Sequence, residues 1–234
     1  FETEPDGPFI TNFDTPDLAI QKQGHGALVN TPGGEWYYAS LMARPWNHKN
    51  ESAYDPRGWS TLGRETSIQK VEWDDQGWPR VVGGHGGQVE VDAPKDAIET
   101  DAPLDHSRHD EFDSETLYYD WNTLRVPFSE HMGSFGDGQL KLVGHFSLAS
   151  NFDVSMIASR WQAFNFDAET KVKFDPFTYQ QMAGLTNFYN DKHWSWIFIT
   201  WDEKKGHVIE VAENNRGNYT SYLKDDAIAI PDGV

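Results

Sequence analysis

The sequence predicts an all-β protein of 234 residues. No stretch keeps apolar residues at the i, i+3, i+4, i+7 spacing of a helix for three turns. Short segments of alternating apolar and polar residues recur instead, with clusters of turn-forming residues between them. The 10 Trp, 9 Tyr and 14 Phe residues supply large rings, which suit both strands and flat sugar-binding surfaces. These observations predict a globular chain built from strands.

Two hairpins are predicted in the first part of the chain. The sequence Thr31-Pro32-Gly33-Gly34 forms the first turn and Asp74-Asp75-Gln76-Gly77 the second, because these residue types favour tight turns. Periodicity alone is compatible with an open sheet or with a piece of a propeller. The four predicted strands are GALVN (26–30), EWYYASLM (35–42), SIQKVEW (67–73) and WPRVVGG (78–84).

A change in composition separates this part from the rest of the chain. Residues 83–110 are rich in Asp, Ala and Pro and poor in aromatic residues, which is typical of an extended connection between domains. Closely spaced strands then resume, as in a sandwich or jelly roll. Those predicted strands are LRVPF (124–128), GQLKLVG (138–144), SMIASRW (155–161), AETKVKF (168–174), MAGLTNFY (182–189), WSWIFIT (194–200) and HVIEVAE (207–213).

Charge and composition exclude several classes of partner and chemistry. The formal net charge of −18 would repel nucleic acid and anionic bilayers, whereas a neutral polysaccharide fits. The absence of cysteine excludes disulfides, Cys-based metal sites and thiol catalysis. No apolar run is long enough for a transmembrane helix. The N-terminal FETEPDGPFI has no signal-peptide pattern and does not begin with Met, so we expect a processed or truncated chain.

Four blocks of sequence resemble one family of carbohydrate enzymes. They are GHGALVNTPGGEWYYASLMARP (24–45), RGWSTLGRETSIQKVEWDDQGWPRVVGG (57–84), FDSETLYYDWNTLRVPFSE (112–130) and the long block 158–211 that starts with ASRWQAFNFD. Together these blocks resemble the β-xylosidases and α-L-arabinofuranosidases of glycoside hydrolase family 43. The resemblance is to the two-domain branch, in which a five-bladed β-propeller carries the active site and a β-sandwich follows.

The resemblance implies a domain organisation. Residues 1–92 would be the C-terminal part of the catalytic propeller, 93–110 a linker, and 111–234 an incomplete β-sandwich of jelly-roll type. The family's three catalytic carboxylates lie upstream of the part that matches Phe1, so the resemblance implies no catalytic acid or base in this chain. The remainder of the propeller and of the sandwich would then be its partners, and homo-oligomers are frequent in this branch.

The function implied is that of a fragment of an inverting exo-glycosidase. Its substrates would be xylo-oligosaccharides or arabinoxylan-derived chains, from which terminal β-D-xylosyl, and by extension α-L-arabinofuranosyl, residues are removed. No organic cofactor is implied. The alternative is a non-catalytic carbohydrate-binding or interface fragment. We expect secretion, with a cytoplasmic location as the alternative, and secretion from a eukaryotic source would bring the sequons at Asn50 and Asn218 into use.

The LGRET motif contains the first candidate site residue. Arg64 presents a planar fork of donors that can bridge sugar hydroxyls, or can keep a neighbouring carboxylate ionised. From the residues alone a structural ion pair is the simpler interpretation, but the corresponding Arg of the family lies in the active site. Glu65 should point to the opposite face of the strand. We therefore predict that Arg64 binds substrate and that Glu65 is a structural partner for Arg or Lys in an adjoining blade.

Four further residues are candidates with simpler alternatives. His25 lies between two glycines, and in the family this His is near the propeller axis, where it orients a carboxylate or holds water around an ion. A structural hydrogen bond is the alternative. Trp46 and Trp59 are either sugar platforms or core residues. Asp113 is a candidate ligand for a structural calcium, which prefers oxygen atoms. By contrast, His106 and His109 lie in the acidic connection, where no element fixes their geometry.

Overall fold

The computed structural model describes residues 5–46, 57–99 and 107–231, and every regular element in these ranges is a β-strand. The chain divides into two compact units. The first comprises Phe1–Ser107 together with Trp161–Asn165, and the second comprises Arg108–Arg160 and Phe166–Val234. The all-β prediction is confirmed. The described residues contain no helix with the length and hydropathy needed to cross a membrane.

The first unit contains one four-stranded antiparallel sheet in which each strand pairs with the next along the chain. This up-and-down arrangement is that of a propeller blade. Thr31 begins the first turn, where its amide donates to the Glu35 carbonyl at 2.8 Å, so the first predicted hairpin is confirmed. The strands are β1 (Gln21–Asn30), β2 (Trp36–Ala43), β3 (Glu65–Trp73) and β4 (Pro79–Val81).

A buried amide fastens the segment after β4 to the sheet. Gln69 is almost fully buried, and its Nε2 donates to Ser67 Oγ at 2.8 Å and to the Gln88 carbonyl at 2.9 Å. The amide of Gln88 in turn donates to Gln69 Oε1 at 2.7 Å. Because both ends of the side chain are paired, Gln69 avoids the free-energy penalty of an unsatisfied buried polar group.

The described start of the predicted linker is also held against the sheet. The Glu35 carboxylate accepts hydrogen bonds from the backbone amide of Lys95 at 2.6 Å and from Lys70 Nζ at 3.0 Å. These bonds, the Lys95 amide first, lower the pKa of Glu35. Asp96 accepts from the amide of Gly33 at 2.8 Å. Residues 93–99 contain no strand, yet hydrogen bonds to the Glu35 side chain and to the Gly33 backbone amide hold them against the first hairpin.

The second unit is built around a five-stranded antiparallel sheet and two small two-stranded ones. The strands are β5 (Asn122–Thr123), β6 (Gly133–Gly136), β7 (Gln139–Leu142), β8 (Ile157–Ala158), β9 (Ala183–Asn190), β10 (His193–Asp202), β11 (Gly206–Asn215), β12 (Asn218–Ser221) and β13 (Ile228–Ala229). The large sheet has the order β12-β11-β10-β9, and β13 also pairs with β11. The small sheets pair β5 with β8 and β6 with β7.

The hydrophobic core of this unit lies on one face of the large sheet. Phe198 on β10 is 2% exposed and lies at its centre, and the remaining members come from the sheet and from the loops that cross it. On the opposite face Ile197 is 49% exposed. The core comprises Leu148, Val154, Met156, Trp194, Phe198 and Ala212, with Leu124, Phe188 and Trp196 packed at its edge.

Three of the strand predictions for this unit are wrong in whole or in part. Residues 168–174 form no strand, although their alternation is regular, and residues 124–128 form none either, since β5 ends at Thr123 and Arg125 has a φ of +68°. Only Ile157–Ala158 of the predicted strand 155–161 pairs. An alternating pattern determines which side chains would share one face of a strand. A strand forms only where a neighbouring backbone can complete its hydrogen bonds.

The two sequons differ in what the structure says of them. Asn50 lies outside the described residues. Asn218 begins β12 and is exposed. Use of either sequon stays a prediction.

Candidate functional site

Arg64 lies directly before β3, at the end of a tight turn. The amide of Gly63 donates to the Ser60 carbonyl at 3.0 Å, and Gly63 has a φ of +75°, which a residue without Cβ adopts most easily. Arg64 is exposed, and it forms no hydrogen bond or ion pair with any residue in the described ranges. Its five N–H donors are therefore free of described protein partners.

Glu65, the next residue, is fully engaged. Its two carboxylate oxygens accept from Arg44, at 3.0 Å from Nε and 2.7 Å from the terminal guanidinium nitrogen. This bidentate pair raises the pKa of Arg44, mainly through the hydrogen bond to Glu65. The predicted structural ion pair of Glu65 is confirmed, but its partner follows β2 in the same sheet rather than belonging to an adjoining blade. The pair leaves Arg64 as the uncommitted charge of the motif.

The turn that carries Arg64 is held in place by three neighbouring segments. Trp46 and Trp59 form an isolated antiparallel bridge, with backbone N–H···O distances of 2.7 and 3.0 Å. Lys22 Nζ donates to Ser60 Oγ at 3.4 Å, and Arg57 donates to the Phe13 carbonyl at 2.7 Å. The backbone before Arg64 therefore has several anchors that sequence alone does not indicate.

An aromatic group lies beside the Arg44–Glu65 ion pair. The ring of Phe164 packs edge-on against Trp46, with centroids 5.5 Å apart, and the Arg44 guanidinium lies 5.6 Å from its centroid. Both Trp46 and Trp59 are exposed, so neither is a core residue of this unit. Sequence analysis missed Phe164 because RWQAFN reads as the continuation of a sandwich strand. The role of the tryptophans as sugar platforms stays a prediction.

His25 lies within β1, at a bulge rather than before the strand. The pairing of β1 with β2 shifts register between Gly24 and Ala27, and His25 has a φ of +52°. The following Gly26 is required there, because a Cβ would meet the Ala39 carbonyl oxygen and would lie 2.6 Å from the Tyr38 ring. The backbone of β1 thus approaches β2 closely at Gly26. A β-bulge changes the direction in which a side chain points, so the backbone conformation at His25 sets the orientation of its exposed imidazole.

The pairing register places His25 and Arg64 near the same end of the sheet. Gly24 pairs with Leu41, and Leu41 pairs with Thr66, so these three residues lie at one level across the sheet. His25 follows Gly24 directly, and Arg64 lies two residues before Thr66. Two strand spacings, about 10 Å, separate β1 from β3. No hydrogen bond joins the two described side chains, so a shared ligand would have to span the gap.

Family models match both units in chain order. Residues 1–79 match the model "Glycosyl hydrolases family 43", and residues 109–234 match "Beta xylosidase C-terminal Concanavalin A-like domain". The second match alone covers more than half of the chain.

The chain belongs to glycoside hydrolase family 43.

Relatives of this family 43 chain extend the match over nearly all its residues. It is 41% identical over 233 residues to a beta-xylosidase of Bacillus subtilis, covering 99% of this chain and 43% of that protein. It is 33% identical to a non-reducing end alpha-L-arabinofuranosidase of Bacteroides ovatus, covering 89% of this chain and 37% of that protein. The chain therefore spans less than half the length of these curated relatives.

A solved structure of the same kind matches the fold. The crystal structure of xylan beta-1,4-xylosidase from Bacillus halodurans C-125 superposes with a TM-score of 0.86 at 38% sequence identity. The match covers 99% of this chain and 43% of that one. The fold prediction is confirmed: a propeller portion is followed by a β-sandwich domain.

The structure places Asp113, the predicted calcium ligand, outside the one three-residue group of potential metal ligands in the described ranges. Asp113 is exposed. In the described ranges, one group of three His, Cys, Asp or Glu ligand atoms is close enough to hold an ion, and Asp113 is not a member of it. Calcium at Asp113 stays a prediction.

Proposed function

We propose that the protein containing this chain is an inverting exo-glycosidase that removes terminal β-D-xylosyl residues from xylo-oligosaccharides, and α-L-arabinofuranosyl residues as a second activity. The observation that carries the proposal is the contrast within LGRET. Glu65 is committed to Arg44, whereas Arg64 is exposed and makes no described contact at the edge of a propeller blade. Membership of family 43 supports the reaction class.

Arg64 would act on the sugar and on the catalytic carboxylates at once. Its fork of donors fits a pair of neighbouring sugar hydroxyls, and its fixed positive charge favours the ionised form of a nearby carboxylate. An inverting glycosidase needs one ionised carboxylate to activate water and one protonated carboxylic acid for the leaving group, about 6.5–9.5 Å apart. Both carboxylates would come from the rest of the propeller. His25 would orient one of them or hold a water molecule.

The remaining features of the proposal follow from the same reaction. Water is the co-substrate of hydrolysis, so the proposal invokes no organic cofactor. The acidic surface, with a net charge of −18, suits a neutral oligosaccharide better than a nucleic acid or an anionic membrane. Secretion, a homo-oligomeric assembly and a structural calcium at Asp113 belong to the proposal as well.

Paired chromogenic substrates test the proposed function. We expect the full-length protein to hydrolyse both 4-nitrophenyl β-D-xylopyranoside and 4-nitrophenyl α-L-arabinofuranoside, with the xyloside giving the higher kcat/KM. Release of nitrophenol at the buffer rate from both would overturn the proposal. Binding of xylo-oligosaccharide without hydrolysis would instead support the non-catalytic alternative.

A conservative change at Glu65 tests its structural role. Glu65→Gln keeps the shape of the side chain but removes the charge that pairs with Arg44. The pair is partly exposed, so we expect the free energy of unfolding to fall by about 1 kcal/mol or less. The kcat/KM for the xyloside should fall by less than about tenfold, whereas loss of a catalytic carboxylate costs on the order of 10²–10⁴-fold. A loss in that larger range would make Glu65 a catalytic residue.

A further inference from the structure

A hairpin in the second unit brings two histidines together. β6 and β7 are joined by Asp137 and Gly138, whose φ values of +53° and +71° are those of a type I′ turn. The pairing continues past the strands, since the Val143 amide donates to the Met132 carbonyl at 2.9 Å. His131 precedes β6 and His145 follows β7, so the register places both imidazoles at the open end of the hairpin.

A carboxylate from the following loop completes the group. The Phe146 amide donates to the carbonyl of Asp153 at 3.1 Å, which holds the loop against the residues after β7. His131 Nε2 lies 2.9 Å from Asp153 Oδ1, and His145 Nδ1 lies 3.7 Å from Asp153 Oδ2. The two imidazole rings are stacked, with centroids 4.2 Å apart. Three backbone segments therefore fix three ligand-type side chains.

The tautomer of His145 follows from its hydrogen bond to the backbone. Its Nε2 lies 2.9 Å from the carbonyl oxygen of His131. A carbonyl only accepts, so Nε2 carries the hydrogen and Nδ1 of the neutral ring presents a lone pair. That lone pair faces the Asp153 carboxylate, and two electron-rich atoms facing each other repel. The arrangement is favourable when a cation lies between them.

We propose that His131, His145 and Asp153 form a Zn²⁺-binding site. Two imidazole nitrogens and a carboxylate oxygen are a ligand set that zinc favours, and a ligating histidine usually donates its other N–H to a carbonyl or carboxylate, as His145 does. The three ligand atoms lie within 4.8 Å of one another. Ligand atoms of a tetrahedral zinc are about 3.4 Å apart, so small side-chain rotations bring them to bonding distance.

Exposure of the group fits a surface site that water completes. The side chain of His145 is 18% exposed, whereas that of His131 is 65% exposed. All three residues are exposed overall. The His145 imidazole is anchored by its hydrogen bond to the His131 carbonyl, whereas His131 would exchange its hydrogen bond with Asp153 for a bond to the ion. A bound zinc would join the base of the β6–β7 hairpin to the loop that follows it.

Calorimetry on the chelator-treated full-length protein tests the site with Zn²⁺ alone. We expect a saturable site in the wild type, and His145→Gln should weaken zinc binding by at least about tenfold. Asp153→Asn should act in the same direction, and it suits the backbone because Asn tolerates the +57° φ of Asp153. Zinc should also raise the melting temperature of the wild type but not of these variants.

His109 provides the matched control. Its Nε2 lies 2.7 Å from Glu111 Oε1, so it forms the same kind of histidine–carboxylate pair, but it belongs to no group of three ligands in the described ranges. His109→Gln should leave zinc affinity unchanged. Equal zinc binding by wild type, His145→Gln and Asp153→Asn would overturn the site. A wild-type titration that shows no heat of zinc binding would also overturn it. In that case a proton shared between the histidines and Asp153 would account for their arrangement.

Discussion

Replacing Arg64 with alanine in the full-length enzyme should lower kcat/KM for 4-nitrophenyl β-D-xylopyranoside by about 100-fold or more. The side chain is exposed and has no hydrogen bond or ion pair to described residues, so its removal costs little in folding. The loss would fall on the sugar contacts and on the charge that keeps a carboxylate ionised. Steady-state kinetics on both chromogenic substrates measure it.

Arg64→Lys is the graded control for this effect. Lysine keeps the positive charge but has no planar fork, so its activity should lie between those of wild type and Arg64→Ala. Melting temperatures of all three proteins should agree within a few degrees. Near-normal kcat/KM for Arg64→Ala would contradict a substrate-binding role, and a large fall in melting temperature would indicate a structural one.

Replacing Phe198 with alanine should destabilise the second unit by about 3–5 kcal/mol. Phe198 is 2% exposed at the centre of the core cluster, and Ala212 on the neighbouring strand belongs to the same cluster. Removal of the ring leaves a cavity that the surrounding strands fill only in part. Denaturant unfolding followed by tryptophan fluorescence measures the effect, because Trp194 belongs to the same core.

Two variants separate cavity formation from loss of an aromatic ring. Phe198→Leu keeps most of the volume and should cost clearly less than Phe198→Ala. Phe177→Ala makes the same substitution at a side chain that is 76% exposed, so it should change stability by about 0.5 kcal/mol or less. Equal destabilisation by Phe198→Ala and Phe177→Ala would place the core elsewhere.

The strands that were predicted correctly are those that pair with an adjacent strand along the chain. The hairpin across Thr31–Gly34 and the ladder of β9, β10 and β11 each join neighbours along the chain, so local pattern and turn chemistry are enough. The segment 168–174 has an equally clear alternation, but no described strand pairs with it. Its pattern specifies a face, whereas its pairing depends on residues distant in sequence.

Only those features of the candidate site that depend on residues close together in the sequence could be predicted. Glu65 was separable from Arg64 because neighbours on a strand face opposite sides. The position of Phe164 beside Arg44 depends on a segment about 120 residues away, and no pattern in RWQAFN indicates it. The same holds for His131, His145 and Asp153. Their spacing matches no metal motif, and the type I′ turn and its register bring them together.

The division of labour within LGRET is tested most directly by comparing kcat/KM for the β-xyloside in Arg64→Ala and Glu65→Gln, each in the full-length enzyme. The structure pairs Glu65 with Arg44 and leaves Arg64 without a described partner, so Arg64→Ala should lose at least about tenfold more activity than Glu65→Gln. Equal losses, or a larger loss for Glu65→Gln, would contradict the assignment of Arg64 to substrate and Glu65 to structure.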